Sequence, residues 1–169
     1  MHGTELAGAL RDAMQAERDG YSFYSMAADR SEDPGARDTF TRLAAEEKKH
    51  YEMLQSGYRA LLQGEPWKPS SIRSGTDHER QAGGIFSERF VRRIAGKHLE
   101  MSALSIGILL EKNAVAFYSR EAEAANDKAV ATFFRELADW ENEHYQLLLR
   151  QDESLKEAYW NENRFAPLL

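Results

Sequence analysis

A nine-residue pattern occurs twice in this chain, in register and without a gap. Glu17, Phe23, Tyr24, Phe40, Leu43, Glu47, His50, Tyr51 and Leu54 recur as Glu111, Phe117, Tyr118, Phe134, Leu137, Glu141, His144, Tyr145 and Leu148, always 94 residues on (111 − 17 = 94). Each half reads Glu, then Glu-x-x-His about thirty residues later. Together the halves supply four carboxylates and two imidazoles, the ligand set of a dinuclear carboxylate site in a four-helix bundle.

The periodicity supports that architecture. Leu10, Ala13, Glu17, Tyr21, Tyr24 and Ala28 recur at steps of three or four, one face of a first helix from about residue 5. Ser31-Glu32-Asp33-Pro34-Gly35 reads as a turn, with Asp33 as N-cap and Pro34 at the first helical position. A second helix follows to about Gln63, with Phe40, Leu43, Glu47, His50 and Leu54 on one stripe, and the short turn makes the pair antiparallel. Residues 64–101 read as a long crossover: Gly64-Glu65-Pro66-Trp67-Lys68-Pro69 and Gly83-Gly84 mark loops, and a short basic helix is expected over 87–98. The third helix is expected over 102–125, with Leu104, Ile108, Glu111, Val115, Tyr118 and Ala122 facing inward. The fourth is expected to run to about Arg150 with Phe134, Leu137, Glu141, His144 and Leu148 inward, leaving 151–169 as a tail with a short helix. The reading is one all-α domain, residues 1–169, of two tandem helix pairs (5–63 and 102–150).

Burial decides what the six polar residues are for. In each Glu-x-x-His helix the polar pair interrupts an apolar stripe, so Glu47, His50, Glu141 and His144 point into the core, as do Glu17 and Glu111. Each uncompensated buried charge costs several kcal/mol or more. Two divalent cations neutralise four carboxylates while the histidines stay neutral. The i, i+3 spacing lets Glu and His reach one cation, and the mixture suits iron or manganese, with zinc competing. A lone Glu-x-x-His is usually a surface coincidence; two copies, each inside an apolar stripe and each preceded by a core-facing Glu, are not.

Composition narrows the chemistry further. The chain has no cysteine, which removes disulfides, thiolate sites and iron–sulfur or rubredoxin-type centres, so electrons must come from another protein. A net charge of −6 argues against nucleic acid or an anionic membrane as a general partner. No run of about eighteen apolar residues is present, and the N-terminal residues lack signal-peptide character, so a cytoplasmic location is expected.

These residues resemble the ferritin-like superfamily, and most closely the iron-binding domain of rubrerythrins. Ala16-Glu17 through Phe23-Tyr24 and Leu43-Ala44-Ala45-Glu46-Glu47-Lys48-Lys49-His50 are similar to that family's first helix pair. Leu110-Glu111 through Phe117-Tyr118 and Leu137-Ala138-Asp139-Trp140-Glu141-Asn142-Glu143-His144 are similar to its second. The resemblance implies two irons, with Glu17 and His50 terminal on one, Glu111 and His144 on the other, and Glu47 and Glu141 bridging. It implies a ferrous pair that gives two electrons together to hydrogen peroxide or dioxygen. The expected function is thus a di-iron redox enzyme protecting against oxidative stress, with ferroxidase or iron storage as the alternative. Peroxidase rubrerythrins usually carry an extra Glu one turn before the third-helix ligand; here that position is Ile108. The rubredoxin module is also absent from this sequence, so a separate rubredoxin-like or flavoprotein donor is expected.

Tyr24 and Tyr118, two turns after Glu17 and Glu111, are expected to hydrogen-bond ligands or to act as redox-active phenols. Tyr51 and Tyr145 are expected to pack, and Trp140 to be a core or interface aromatic where the first half has Glu46. His2, His78 and His98 lack partners at ligand spacing. Arg89, Arg92, Arg93 and Lys97 are read as a solvated face or a dock for an acidic electron donor. The tail from Phe165 to Leu169 is read as packing on a neighbouring subunit or docking into a larger assembly, and a homodimer is expected.

Overall fold

In the computed structural model the chain is an all-α four-helix bundle. The structure describes residues 3–65, 67, 69 and 98–162. Helix α1 spans Gly3–Arg30, α2 Pro34–Leu62, α3 His98–Ala124 and α4 Lys128–Glu162. Helix α1 packs chiefly on α2 and α3 on α4, while α1 and α3 touch more sparsely.

The turns follow from local chemistry. The Asp33 side chain accepts from the Ala36 backbone N–H at 3.0 Å, and Pro34 opens α2. Arg37 closes the same turn by donating to the Ser31 carbonyl at 2.7 Å. The repeat reproduces this cap: Asp127, 94 residues after Asp33, accepts from Ala129 at 2.7 Å and Val130 at 3.1 Å at the start of α4. Helix α2 ends where Gly64 takes φ +70°, which lets Glu65 N–H reach the Ala60 carbonyl at 2.9 Å and Gly64 N–H the Leu61 carbonyl at 3.1 Å. That pair of bonds satisfies carbonyls the helix end leaves open. Beyond it, Trp67 meets Phe133 edge-on at 4.8 Å between ring centroids and lies over Gly57. A Cβ on Gly57 would come within 2.5 Å of the indole.

Two apolar clusters, one at each end of the bundle, enclose a polar middle. Tyr24, Phe40, Leu43, Leu104 and Leu148 form one; Tyr118, Phe134, Leu137, Leu10 and Leu54 form the other. Every residue of the first set maps onto the second under the 94-residue shift, so a pseudo-twofold axis passes through the middle of the bundle. Tyr24 stacks on Phe40 at 6.2 Å and 16°, Tyr118 on Phe134 at 6.1 Å and 22°.

The structure departs from the sequence expectations in three places. Helix α4 does not stop near Arg150 but continues to Glu162. The extension contains no Gly or Pro, carries an Asp152–Lys156 pair at 2.5 Å, and buries Leu155 in the first cluster. Helix α3 starts at His98 rather than 102, and Glu100 in its first turn is buried and accepts from the Glu32 backbone N–H at 3.3 Å. Tyr21 is 43% exposed rather than inward, because the inward position between Glu17 and Tyr24 is Gly20. Val115, the repeat counterpart of Tyr21, is only half-buried. The helix expected over 87–98, its basic run Arg89, Arg92, Arg93 and Lys97, His2, His78 and the 165–169 tail lie outside the described residues, and so does the His98 side chain. None of the described helices is long and apolar enough to cross a membrane.

Candidate metal centre

All six residues singled out by the repeat meet in the polar middle of the bundle. Helix α1 contributes Glu17, α2 Glu47 and His50, α3 Glu111, and α4 Glu141 and His144; none is more than 5% exposed. Their donor atoms form two overlapping groups, Glu17–Glu47–His50–Glu141 and Glu47–Glu111–Glu141–His144, with the atoms of each group within 4.8 Å of one another. Glu47 and Glu141 belong to both groups.

Both histidines turn Nδ1 toward the carboxylates. His50 Nδ1 lies 2.8 Å from Glu141 Oε1 and 3.3 Å from Glu17 Oε2. His144 Nδ1 lies 3.3 Å from Glu141 Oε2, 3.7 Å from Glu47 Oε1 and 3.8 Å from Glu111 Oε2. These approaches are close but not aligned as hydrogen bonds. Glu17 Oε2, Glu47 Oε1, both Glu141 oxygens, both His50 nitrogens and His144 Nδ1 are buried with no hydrogen-bond partner. Buried polar atoms ordinarily find one, so a concentration of orphans whose lone pairs converge is the signature of a cation site. The residues fit two divalent cations in number, type and charge.

Without cations, protons must balance the charge, and the acid–base properties of the site show the strain. Burial drives the Glu111 carboxyl up to about 8, and the Glu141 charge adds to it. Glu47 is raised well above the usual carboxylate range by burial and by Glu141, Glu17 and Glu111. Burial alone would push His50 down, but the charges of Glu141 and Glu17 outweigh it and raise the imidazole to about 10. His144 is raised for the same reason, with Glu111, Glu141 and Glu46 opposing burial. Glu141 goes the other way, because His50 and His144 together overcome its burial and hold it well below the normal range.

Both tyrosines expected near the site touch it. Tyr24 donates its hydroxyl to Glu111 Oε1 and Tyr118 donates to Glu17 Oε1, so each phenol holds a glutamate of the opposite helix pair. Burial first, then the neighbouring carboxylates, raises both phenols well above their ordinary value, which keeps them protonated as donors. Tyr51 lies outside this arrangement and is half-buried, accepting from Arg18 Nη2 at 3.2 Å and Gln55 Nε2 at 3.2 Å. Tyr145 is half-buried too.

Two residues escaped the sequence reading. A Cβ on Gly20 would lie 2.9 Å from Glu47 Oε2, so this glycine clears space for the carboxylate. Its signal was present, since an interior helical glycine costs about 1 kcal/mol relative to alanine and calls for a packing reason. Glu46 was noted only as the residue opposite Trp140 in the repeat; in fact it contacts both Trp140 and His144.

An open groove between α1 and α3 leads to the cluster. Ala16, Asp19 and Gly20 line one wall and Leu110, Asn113, Ala114 and Phe117 the other, with Glu17, Glu47, Glu111 and the two tyrosines at its base, around a cavity of about 380 Å³. Ile108, at the position of the extra peroxidase glutamate, is half-buried against the first apolar cluster.

The rubrerythrin family model matches residues 2–58, the stretch that carries Glu17, Glu47 and His50. No curated protein and no solved structure matches the chain. For α3 and α4 the likeness therefore rests on the 94-residue repeat and on the cluster those helices complete. The chain is thus a four-helix bundle with a buried carboxylate–histidine cluster that is similar to the rubrerythrins over its first helix pair.

Proposed function

We propose that this chain is a di-iron redox enzyme that reduces hydrogen peroxide or dioxygen. The observation that carries the reading is the pair of overlapping donor groups sharing Glu47 and Glu141, with their converging, unpartnered atoms. Glu17 and His50 would hold one iron, Glu111 and His144 the other, and Glu47 and Glu141 would bridge. Bound as a ferrous pair, the irons would supply two electrons, enough with two protons to convert one hydrogen peroxide to two waters.

The chain's own residues account for the remaining requirements. The α1–α3 groove would admit a small oxidant to the side of the cluster formed by Glu17, Glu47 and Glu111. Tyr24 and Tyr118 fix the terminal glutamates Glu111 and Glu17 in rotation, leaving the other oxygen of each for the metal. The apolar clusters on either side exclude bulk water, which strengthens electrostatic interactions inside. Electrons to restore the ferrous state would come from a donor outside these residues, none of which is a cysteine that could hold an iron–sulfur centre.

A second reading, ferroxidase or iron handling, is favoured by one observation: Ile108 puts an apolar side chain where peroxidase rubrerythrins usually have a carboxylate. Stopped-flow oxidation of protein loaded anaerobically with two ferrous ions per chain separates the readings. Oxidation by peroxide much faster than by oxygen, cycling on re-reduction, supports the peroxidase. Faster reaction with oxygen and continued uptake of iron supports the ferroxidase. No absorbance change with either oxidant would rule out both.

A further inference from the structure

The repeat is broken beside the cluster at a position where the two copies touch each other. Glu46 and Trp140 are equivalent (140 − 46 = 94), each standing immediately before a shared glutamate. Trp140 Nε1 donates to Glu46 Oε2 at 3.1 Å, and the same oxygen lies 2.5 Å from His144 Nε2. An ionised carboxylate only accepts, so His144 Nε2 carries the hydrogen and Nδ1 presents its lone pair to the cluster. Among the described residues His50 has no equivalent support. Its Nε2 is buried without a hydrogen-bond partner, and its ring meets Trp140 edge-on, centroids 4.6 Å apart at 81°. Where the repeat would place a carboxylate against His50, the chain has an indole, which can donate but not accept.

A carboxylate behind a ligating imidazole fixes the ring's orientation and makes its other nitrogen a stronger donor, and removing such a partner typically costs about 10–100-fold in metal affinity. We propose that Glu46 is a positioning residue that makes the two metal positions unequal. The position beside His144 binds a divalent cation first and more tightly, and the position beside His50 fills second. Trp140 reinforces the difference twice, by anchoring Glu46 through its N–H and by withholding an acceptor from His50. The inference rests on the dinuclear reading of the cluster and adds to it an order of loading.

The test is anaerobic titration of the metal-free full chain with Co(II), followed by calorimetry and by paramagnetic proton NMR. Two resolved steps are expected, at least about tenfold apart in affinity. The first should bring one shifted, exchangeable imidazole N–H, from His144. Glu46→Gln should weaken the first step about 10–100-fold and merge it with the second. Trp140→Phe keeps an aromatic edge on His50 and removes only the donor to Glu46. It should weaken the first step by less and leave the second unchanged, and it stands in should Glu46→Gln fail to fold. Equal affinities in the unmodified protein, an unchanged first step in Glu46→Gln, or a change confined to the second step in Trp140→Phe would overturn the proposal. Binding of fewer than two cobalt ions per chain would instead overturn the dinuclear reading beneath it.

Discussion

The two helix pairs agree at the cluster and at the ends of the bundle, and differ in the residues around the cluster. Each contributes Glu, Glu-x-x-His, a Tyr that donates to the other pair's glutamate, a Phe stacked on that Tyr, and an Asp N-cap. Around this common set Gly20 is replaced by Ala114, Glu46 by Trp140 and Met14 by Ile108 under the 94-residue shift. The contrast separates two kinds of constraint. Holding two cations between two helix pairs requires the matched residues in both copies. On the proposed reading, admitting an oxidant from one side, and distinguishing one metal position from the other, would require the copies to differ.

Breaking what the halves share should have the largest effect. Glu141→Ala removes a donor from both groups, so binding should fall from two metals per chain to less than one at micromolar metal, measured by elemental analysis after gel filtration. Glu47→Ala should do the same, because the groups share both residues. The metal-free form of Glu47→Ala should be more heat-stable than the parent, since one crowded carboxylate has gone, whereas Glu141→Ala removes the anion that faces both histidines and should not gain. An equal or lower melting temperature for metal-free Glu47→Ala would contradict the electrostatic account.

Core substitutions come next. Phe40→Ala and Phe134→Ala each delete a fully buried ring stacked on a tyrosine and should each cost about 3–5 kcal/mol in chemical denaturation. The repeat implies similar losses. A cost confined to one copy would show that the pseudo-twofold packing is not energetically balanced.

The site's acid–base balance gives a third test. The Glu111 carboxyl is raised from its ordinary value to about 8 and the His50 imidazole from its ordinary value to about 10. A group raised on folding stabilises the fold fully below its unfolded pKa and loses that contribution as pH rises through the folded one. Through these two groups the metal-free protein should therefore lose stability between about pH 4.5 and pH 10, while Glu141, shifted the opposite way, changes its contribution only below that window. Metal binding displaces the same protons, so the zinc-loaded protein should gain on the metal-free one as pH rises. Calorimetric melting of both forms at pH 5, 7 and 9 checks the divergence; a constant gap would contradict it.

The smallest expected effects sharpen the comparison where the halves differ. Gly20→Ala places a methyl 2.9 Å from Glu47 Oε2, so that carboxylate must shift, and metal affinity should drop several-fold despite the gain in helix propensity. Ala114→Gly at the equivalent position should lose about 1 kcal/mol of stability and leave metal binding unchanged. Matching effects at the two positions, read by competition with a chromophoric chelator, would show that Gly20 has no special relation to the bridge.

Much of this was legible in the sequence because the repeat is ungapped and its polar members interrupt apolar stripes. Periodicity alone places Glu17, Glu47, His50 and their counterparts in the core, and Tyr24 and Tyr118 on the same face. The register of Gly20 against Tyr21 was not legible, since both lie within one helical step of the stripe and only packing selects between them. The length of α4 was missed because its last three turns are mostly polar in sequence, and among the described side chains there only Gln151 and Leu155 are buried. The meeting of Glu46 with Trp140 was missed for a different reason. Equivalent positions of a repeat come together only near the pseudo-twofold axis, and where that axis falls is a fact of three dimensions.

The central claim is that six buried side chains form one site for two cations. The direct measurement is anaerobic equilibrium dialysis of the full chain against ferrous iron, with elemental analysis of the parent and of the double variant Glu47→Ala, Glu141→Ala. Two irons per chain in the parent and essentially none in the variant is the predicted result. One iron or fewer in the parent, or two retained by the variant, would contradict it.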